Sequence, residues 1–278
     1  KLVWSPLSNF LLYGKTANVE AAKRAGLSIS LAPDWAPSGS KNSLGELKVA
    51  DLVNKHALKN LFTDRELVEM VTRKPAAAMG WDQRLGQIAE GYLADVLVVD
   101  DRHADPYRNL INAIEDTIQL VAVRGEPLYG DAALLAAARG TADDSEVTAV
   151  FNKGRRSART KAMTPNCPGT GLAALSVAET KARIQRALKF DAAHLAAKLT
   201  PEQVAKDFST CGINGSVDAT QVSTADVKRL LACRFGLPFE TTRLSPLTTN
   251  EDPDFIRRLM RNPNLPKYLR KLPAYYKN

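Results

Sequence analysis

The sequence predicts an α/β chain whose second half changes character. Three observations carry this expectation. A strand, a helix and a second strand follow one another within the first 31 residues. After Gly86 the pattern switches to short, glycine-bounded apolar runs. The charge then reverses near residue 145: residues 1–149 carry 16 Lys and Arg against 20 Asp and Glu, and residues 150–278 carry 22 against 10, leaving +8 overall.

The opening unit reads directly from residue chemistry. Leu2-Val3-Trp4 is a short apolar strand ended by Ser5-Pro6, because proline cannot continue a ladder. Val19 to Ala25 is rich in helix formers, and Gly26 stands where a helix wants a left-handed terminal residue. Leu27 to Leu31 alternates like a strand. Two strands joined through a helix imply a parallel pair with a right-handed crossover. Asp34 follows, then a polar loop over Ala36–Asn42 and a helix from about Leu44, with Leu44, Leu47 and Val53 on its buried face. Thr63-Asp64-Arg65-Glu66 has the spacing of a capping box. Its helix is expected to break at Pro75 and give way to an Ala-rich turn reaching Gly80.

Gly86 and Gly91 mark two turns before the strand Val96–Val99. Thr117–Val123, a turn at Arg124-Gly125-Glu126 and Pro127–Tyr129 form a hairpin. The expected boundaries are 1–85 for the α/β part, 86–131 for a small β-module, 132–149 for a linker and 150–278 for a basic, mainly helical extension. Helices are expected over Val177–Leu199 and Thr224–Cys233, and Thr200-Pro201-Glu202-Gln203 starts a further one.

Composition excludes several classes. With 45% hydrophobic and 24% charged residues the chain can bury a core and is not globally disordered. No window reaches the roughly 18 uninterrupted apolar residues of a membrane span. Cys167, Cys211 and Cys233 have no metal-ligand spacing, so reduced thiols in a cytoplasmic protein are expected, with one disulfide left open. The start, Lys1 to Pro6, has neither an initiator Met nor the build of a signal peptide, and the true beginning is expected to be missing.

Five segments then resemble one family in order. Ser5-Pro6-Leu7-Ser8-Asn9 resembles the end of the seventh barrel strand of the metal-dependent amidohydrolases, and Leu27–Asp34 the eighth with its metal-site aspartate. Val71–Ala76 resembles their T-x-N-P-A helix, with Lys74 in the usual Asn position. Gly86–Asp100 is similar to their G-x-I-x-x-G-x-x-A-D-x-V-V-x-D segment, and Val121–Tyr129 to their final hairpin. The resemblance covers roughly residues 1–131 and points to the deaminase and chlorohydrolase-like branch.

It implies the C-terminal end of a (β/α)8 metallohydrolase barrel plus part of a small β-sandwich, ahead of the helical extension. Barrel active sites lie at the C-terminal ends of the strands. Asp34 is therefore the implied catalytic and metal-site residue, beside a divalent zinc or iron. There it would take a proton from the activated water and pass it to the leaving nitrogen. Ser8, Asn9, Trp35 and Ser38 are candidates for the substrate pocket, and Asn42 shares their loop; Lys41 is expected in solvent. Asp95 is implied to be structural. His56, His103 and His194 have no partner at ligand spacing, and a catalytic zinc takes about three protein ligands. The family's remaining ligands would therefore lie upstream of Lys1, and the chain alone is expected to be inactive.

The expected function is hydrolysis of non-peptide C–N bonds in a small-molecule substrate. No membrane or nucleic-acid partner is expected, and a homo-oligomer is left open. The alternative is a non-catalytic binding or assembly protein with a basic helical module.

Overall fold

A computed structural model describes residues 1–140, 146–150, 159–164, 195–235, 248–249 and 252–276. Two compact units divide the chain: Lys1–Ser176 with Pro246–Asn278, and Val177–Ser245.

The first unit opens with strands β1 (Leu2–Trp4) and β2 (Ile29–Leu31), paired in parallel with Leu2 opposite Ile29 and Trp4 opposite Leu31. Pro6 does end β1, and it also opens a helix, α1 (Pro6–Tyr13), since proline suits a first helical turn that has no N–H partner to lose. Helix α2 (Val19–Arg24) makes the crossover. Asn18 caps it by accepting from the Ala21 N–H at 3.0 Å, and Gly26 adopts φ +70° just beyond its end. Helix α3 (Ser43–His56) starts at Asn42, whose side chain accepts from the Gly45 N–H at 2.8 Å. The capping box of α4 (Asp64–Glu69) is complete, with Thr63 and Glu66 each serving the other's N–H. One expectation fails next. Pro75 lies inside α5 (Arg73–Met79), in its first turn where no helical hydrogen bond is lost, and the Ala-rich stretch is helical to Gly80.

A five-stranded antiparallel sheet follows in the order β3-β4-β5-β7-β6. Its strands are β3 (Val96–Val99), β4 (Ile118–Val123), β5 (Glu126–Asp131), β6 (Glu146–Val150) and β7 (Arg159–Met163). Helix α6 (Pro106–Asn112) stands between β3 and β4. The β4–β5 turn has Arg124 at φ 54° and Gly125 at φ 82°, the pair of positive values that a tight two-residue hairpin turn uses. Asp95 accepts from the Arg124 N–H at 2.7 Å, so its carboxylate fastens this turn. Gly86, at φ +94°, could not carry a side chain: a Cβ would sit 2.8 Å from both the Ala76 Cβ and the Arg73 Cα. Residues 132–149, read from sequence as a linker, contain helix α7 (Ala132–Arg139), with Leu135 fully buried, and the start of β6.

The C-terminal residues return to this unit. Phe255, Leu259, Leu265, Leu269 and Leu272 share one apolar core with Trp4, Leu7, Leu47 and Leu67. The helix Pro253–Arg261 and the 3-10 stretch Lys267–Tyr276 bring them there. Lys41, expected in solvent, instead pairs with Asp252 at 2.7 Å, and both side chains are more than nine-tenths buried. The return also covers the polar residues of α3. Glu46, Lys48 and Asp51 are all fully buried, and the Tyr275 hydroxyl donates to Asp51. Asp51 further pairs with Arg108 at 3.0 Å.

The second unit is described as two helices. Pro201–Cys211 has a complete capping box between Thr200 and Gln203, and Thr224–Phe235 follows. Their small core holds Val204, Phe208 and Leu230. Cys211 and Cys233 form a disulfide, which corrects the expectation of reduced thiols. His194, residues 141–145 where the charge reverses, and residues 177–194 of the expected long helix lie outside the described residues. Among those described, no helix is long and apolar enough to cross a membrane.

Candidate active site

Asp34 sits three residues past the end of β2, on the side where the parallel strands finish. The chain there is held in place before the carboxylate is reached. The Ala32 N–H donates to the Trp4 carbonyl at 3.1 Å, and the Ser5 hydroxyl donates to the Ala32 carbonyl at 2.7 Å. These bonds tie the exit of β2 to the exit of β1.

Each oxygen of Asp34 then receives one donor. The Ser8 hydroxyl donates to Oδ2 at 2.8 Å, and the Trp35 N–H donates to Oδ1 at 2.8 Å. The Ser8 bond and then the Trp35 bond favour the charged form and hold the carboxyl below the ordinary aspartate value. Asp34 remains exposed, so a group kept ionised at neutral pH faces solvent. That is the state a proton acceptor requires.

The loop behind it doubles back. Ala36–Ser38 forms one 3-10 turn, and the Ser38 hydroxyl lies 3.5 Å from the Trp35 carbonyl. Gly39 closes the turn against Asp34. A Cβ there would stand 3.3 Å from the Trp35 carbonyl oxygen and 3.5 Å from the Asp34 Cβ, so a larger residue would press on the carboxylate's own backbone.

Of the residues singled out by sequence, Ser8, Asp34 and Trp35 come together. The Trp35 ring is 73% exposed, so it stands free at the rim and only its N–H is engaged. Asn9 takes a different partner. Its side-chain oxygen accepts from the Thr16 hydroxyl at 3.1 Å, and Thr16 in turn accepts from the Trp4 indole N–H at 2.7 Å. Asn42 is occupied by capping α3 and by donating to Glu115 at 2.7 Å. His56 stacks on Tyr268 with ring centroids 5.8 Å apart, and His103 accepts from the Asp105 N–H within its own turn.

One residue escaped sequence reading. Glu46 accepts from the Leu7 N–H at 2.9 Å, directly before Ser8. Burial first of all raises its pKa, to about 7, and the negative charge of Asp34 adds to the rise. The Ser40 hydroxyl and the Leu7 and Ser40 N–H groups act the other way. A Glu on an amphipathic helix carries no sequence signal that separates this position from a solvated one.

The donor set does not amount to a metal cage. Among the described residues no group of three or more His, Cys, Asp or Glu side chains could hold an ion. Asp34 offers one carboxylate where a catalytic zinc takes about three protein ligands.

Known proteins resemble this chain over its first half. The model of the amidohydrolase family matches residues 3–156. The 5-methylthioadenosine/S-adenosylhomocysteine deaminase 1 of Archaeoglobus fulgidus is 37% identical over 134 residues, which are 44% of this chain and 31% of that protein. The S-triazine hydrolase of Gordonia rubripertincta is 28% identical over 107 residues, 37% of this chain and 22% of that protein. A crystal structure of an adenosine deaminase from Xanthomonas campestris with bound zinc overlaps 50% of this chain and 36% of its own, at 24% identity and a TM-score of 0.43. The chain spans less than a third of the length of these two curated relatives. With more than half of its residues matched, the chain belongs to the amidohydrolase family.

Proposed function

We propose that this chain is the catalytic-aspartate end of a hydrolase acting on non-peptide C–N bonds, of the deaminase type. The observation that carries the reading is Asp34 itself. It is an exposed carboxylate at the end of a parallel strand, with Ser8 on one oxygen and the Trp35 N–H on the other. Held ionised, it accepts a proton from the attacking water and returns it to the leaving nitrogen. Trp35 and Ser38 line the approach for a small-molecule substrate. Ser8 serves Asp34, and Asn9 acts one layer behind through Thr16 and Trp4.

In this reading residues 1–85 are the last strands and helices of a (β/α)8 barrel, and the sheet that begins at β3 is the family's small β-sandwich. A divalent metal, zinc or iron, completes the site with ligands from outside these 278 residues. The family match supports a divalent metal in this reading. The isolated chain then turns over nothing by itself. The cytoplasmic expectation rested on reduced thiols, and the Cys211–Cys233 bridge removes that basis.

The coding sequence upstream of Lys1 should contain a His-x-His pair, and its absence would withdraw the hydrolase reading. The protein carrying that pair should release ammonia from 5-methylthioadenosine or S-adenosylhomocysteine, the compounds for which several relatives are named. Asp34→Asn should slow that release by about 10²- to 10⁴-fold, the usual weight of a general acid–base residue.

A second reading is a non-catalytic binding or assembly protein. It is favoured by the way the C-terminal residues complete the core around α3. Binding of the full chain to nucleic acid that weakens steeply with salt would support it; no binding at low ionic strength would count against it.

A further inference from the structure

Behind the exposed rim lies a carboxyl group that the proton transfer itself does not need. Glu46 projects from α3 and is fully buried. Its Oε1 accepts from the Leu7 N–H at 2.9 Å, across 39 residues of sequence. Leu7 is the second residue of α1, and the first-turn N–H groups of a helix have no partner within the helix. The residue that would ordinarily supply one, Ser5, makes no side-chain cap, because its hydroxyl is committed to the Ala32 carbonyl. Glu46 thus caps α1 from another helix. The next residue, Ser8, is the one whose hydroxyl holds Asp34.

We propose that Glu46 is a positioning residue: by capping α1 at Leu7 it fixes Ser8, and through Ser8 it fixes the orientation of the Asp34 carboxylate. This rests on the reading of Asp34 given above. A buried carboxylate is an expensive cap where a neutral oxygen would serve, since its charge must be taken out of water. Its proximity to Asp34 shows in its own protonation, which burial and then the neighbouring negative charge push toward the neutral form.

The test uses the full chain, ¹⁵N-labelled and without added metal, as wild type, Glu46→Ala, Glu46→Gln, Ser8→Ala and the Glu46→Ala/Ser8→Ala pair. Two signals are read. Hydrogen exchange at the Leu7 amide reports the cap, and the Trp35 amide resonance reports the carboxylate that accepts its proton. Glu46→Ala should speed Leu7 exchange by about tenfold or more, the worth of one lost hydrogen bond. It should move the Trp35 resonance in the same direction as Ser8→Ala does. Glu46→Gln keeps an acceptor oxygen for Leu7 and should restore both signals. The double variant should move Trp35 no further than Ser8→Ala alone, because both changes act along one path.

A Trp35 resonance unmoved in Glu46→Ala, equal shifts in the Gln and Ala variants, or additive shifts in the pair would each overturn the proposal. If Glu46→Ala does not fold, Glu46→Asp, one methylene short of Leu7, carries the same comparison with the same outcomes. None of these signals depends on turnover. A failure of the hydrolase reading is seen separately, as ammonia release that survives Asp34→Asn.

Discussion

Two carboxylates on neighbouring elements, Asp34 and Glu46, live under opposite conditions. Asp34 is exposed, and hydrogen bonds hold its pKa below the ordinary value. Glu46 is enclosed, and burial raises its pKa to about 7. The charge of the first is kept available at the surface; the second is built into the fold where charge is costly. The same contrast separates their surroundings. The rim around Asp34 is a short turn, Ala36–Ser38, with the Trp35 ring in solvent. The floor around α3 is dense with buried polar groups: Glu46, Lys48, Asp51 and the Lys41–Asp252 pair. On the proposed function, chemistry belongs to the rim and stability to the floor.

The largest effect that separates the two should come from the floor. Lys41→Ala leaves Asp252 buried without its ion-pair partner, and breaking a buried pair costs about 3–5 kcal/mol. Urea denaturation should register that loss, with the midpoint falling and the slope unchanged. A loss below about 1 kcal/mol would mean that the C-terminal return is only loosely docked.

The next effect is in pH. The folded pKa of Glu46 is raised above its ordinary value of 4.5, so the fold prefers the protonated form. Its favourable contribution is complete below the unfolded value and is lost as pH climbs to about 7, a change on the order of 3 kcal/mol. Lys48 is lowered to about 7, chiefly by burial. The fold prefers its neutral form, so this cost shrinks as pH rises from 7 toward 10.5. Together the two groups put a trough in stability near neutral pH. Glu46→Gln should remove the acidic side of that trough and leave the alkaline side, as measured by denaturation at pH 4.5, 7 and 9.

The smallest effect on stability should be at the rim. Ser8→Ala removes one neutral donor from the exposed Asp34 and should shift the urea midpoint least of the three changes. The pKa of Asp34 should rise toward its ordinary value. A stability loss as large as that of Lys41→Ala would erase the distinction between rim and floor.

The sequence made local features legible and little of the floor. Strand ends, both capping boxes and the Arg124-Gly125 turn follow from local residue chemistry, which acts within a few positions. The position of Asp34 just past a strand end was legible from the apolar run before it and the polar loop after it. Nothing local marks Lys41, Glu46 or Asp51 as buried. Their partners Asp252, Leu7 and Tyr275 are set by how the chain returns, 211, 39 and 224 residues away. Pro75 shows the limit of a breaker rule, since its effect depends on where the helix starts. The disulfide was equally hidden, because a separation of 22 residues between two cysteines has no signature of its own.

The most direct measurement is the titration of the Asp34 carboxyl carbon by NMR in the full chain and in Ser8→Ala. The carboxyl should titrate below the ordinary aspartate value of 3.8 in the wild type and move up in Ser8→Ala. A wild-type value at or above 3.8, or one that Ser8→Ala leaves in place, would contradict the assignment of Asp34 as a carboxylate held ionised for proton transfer.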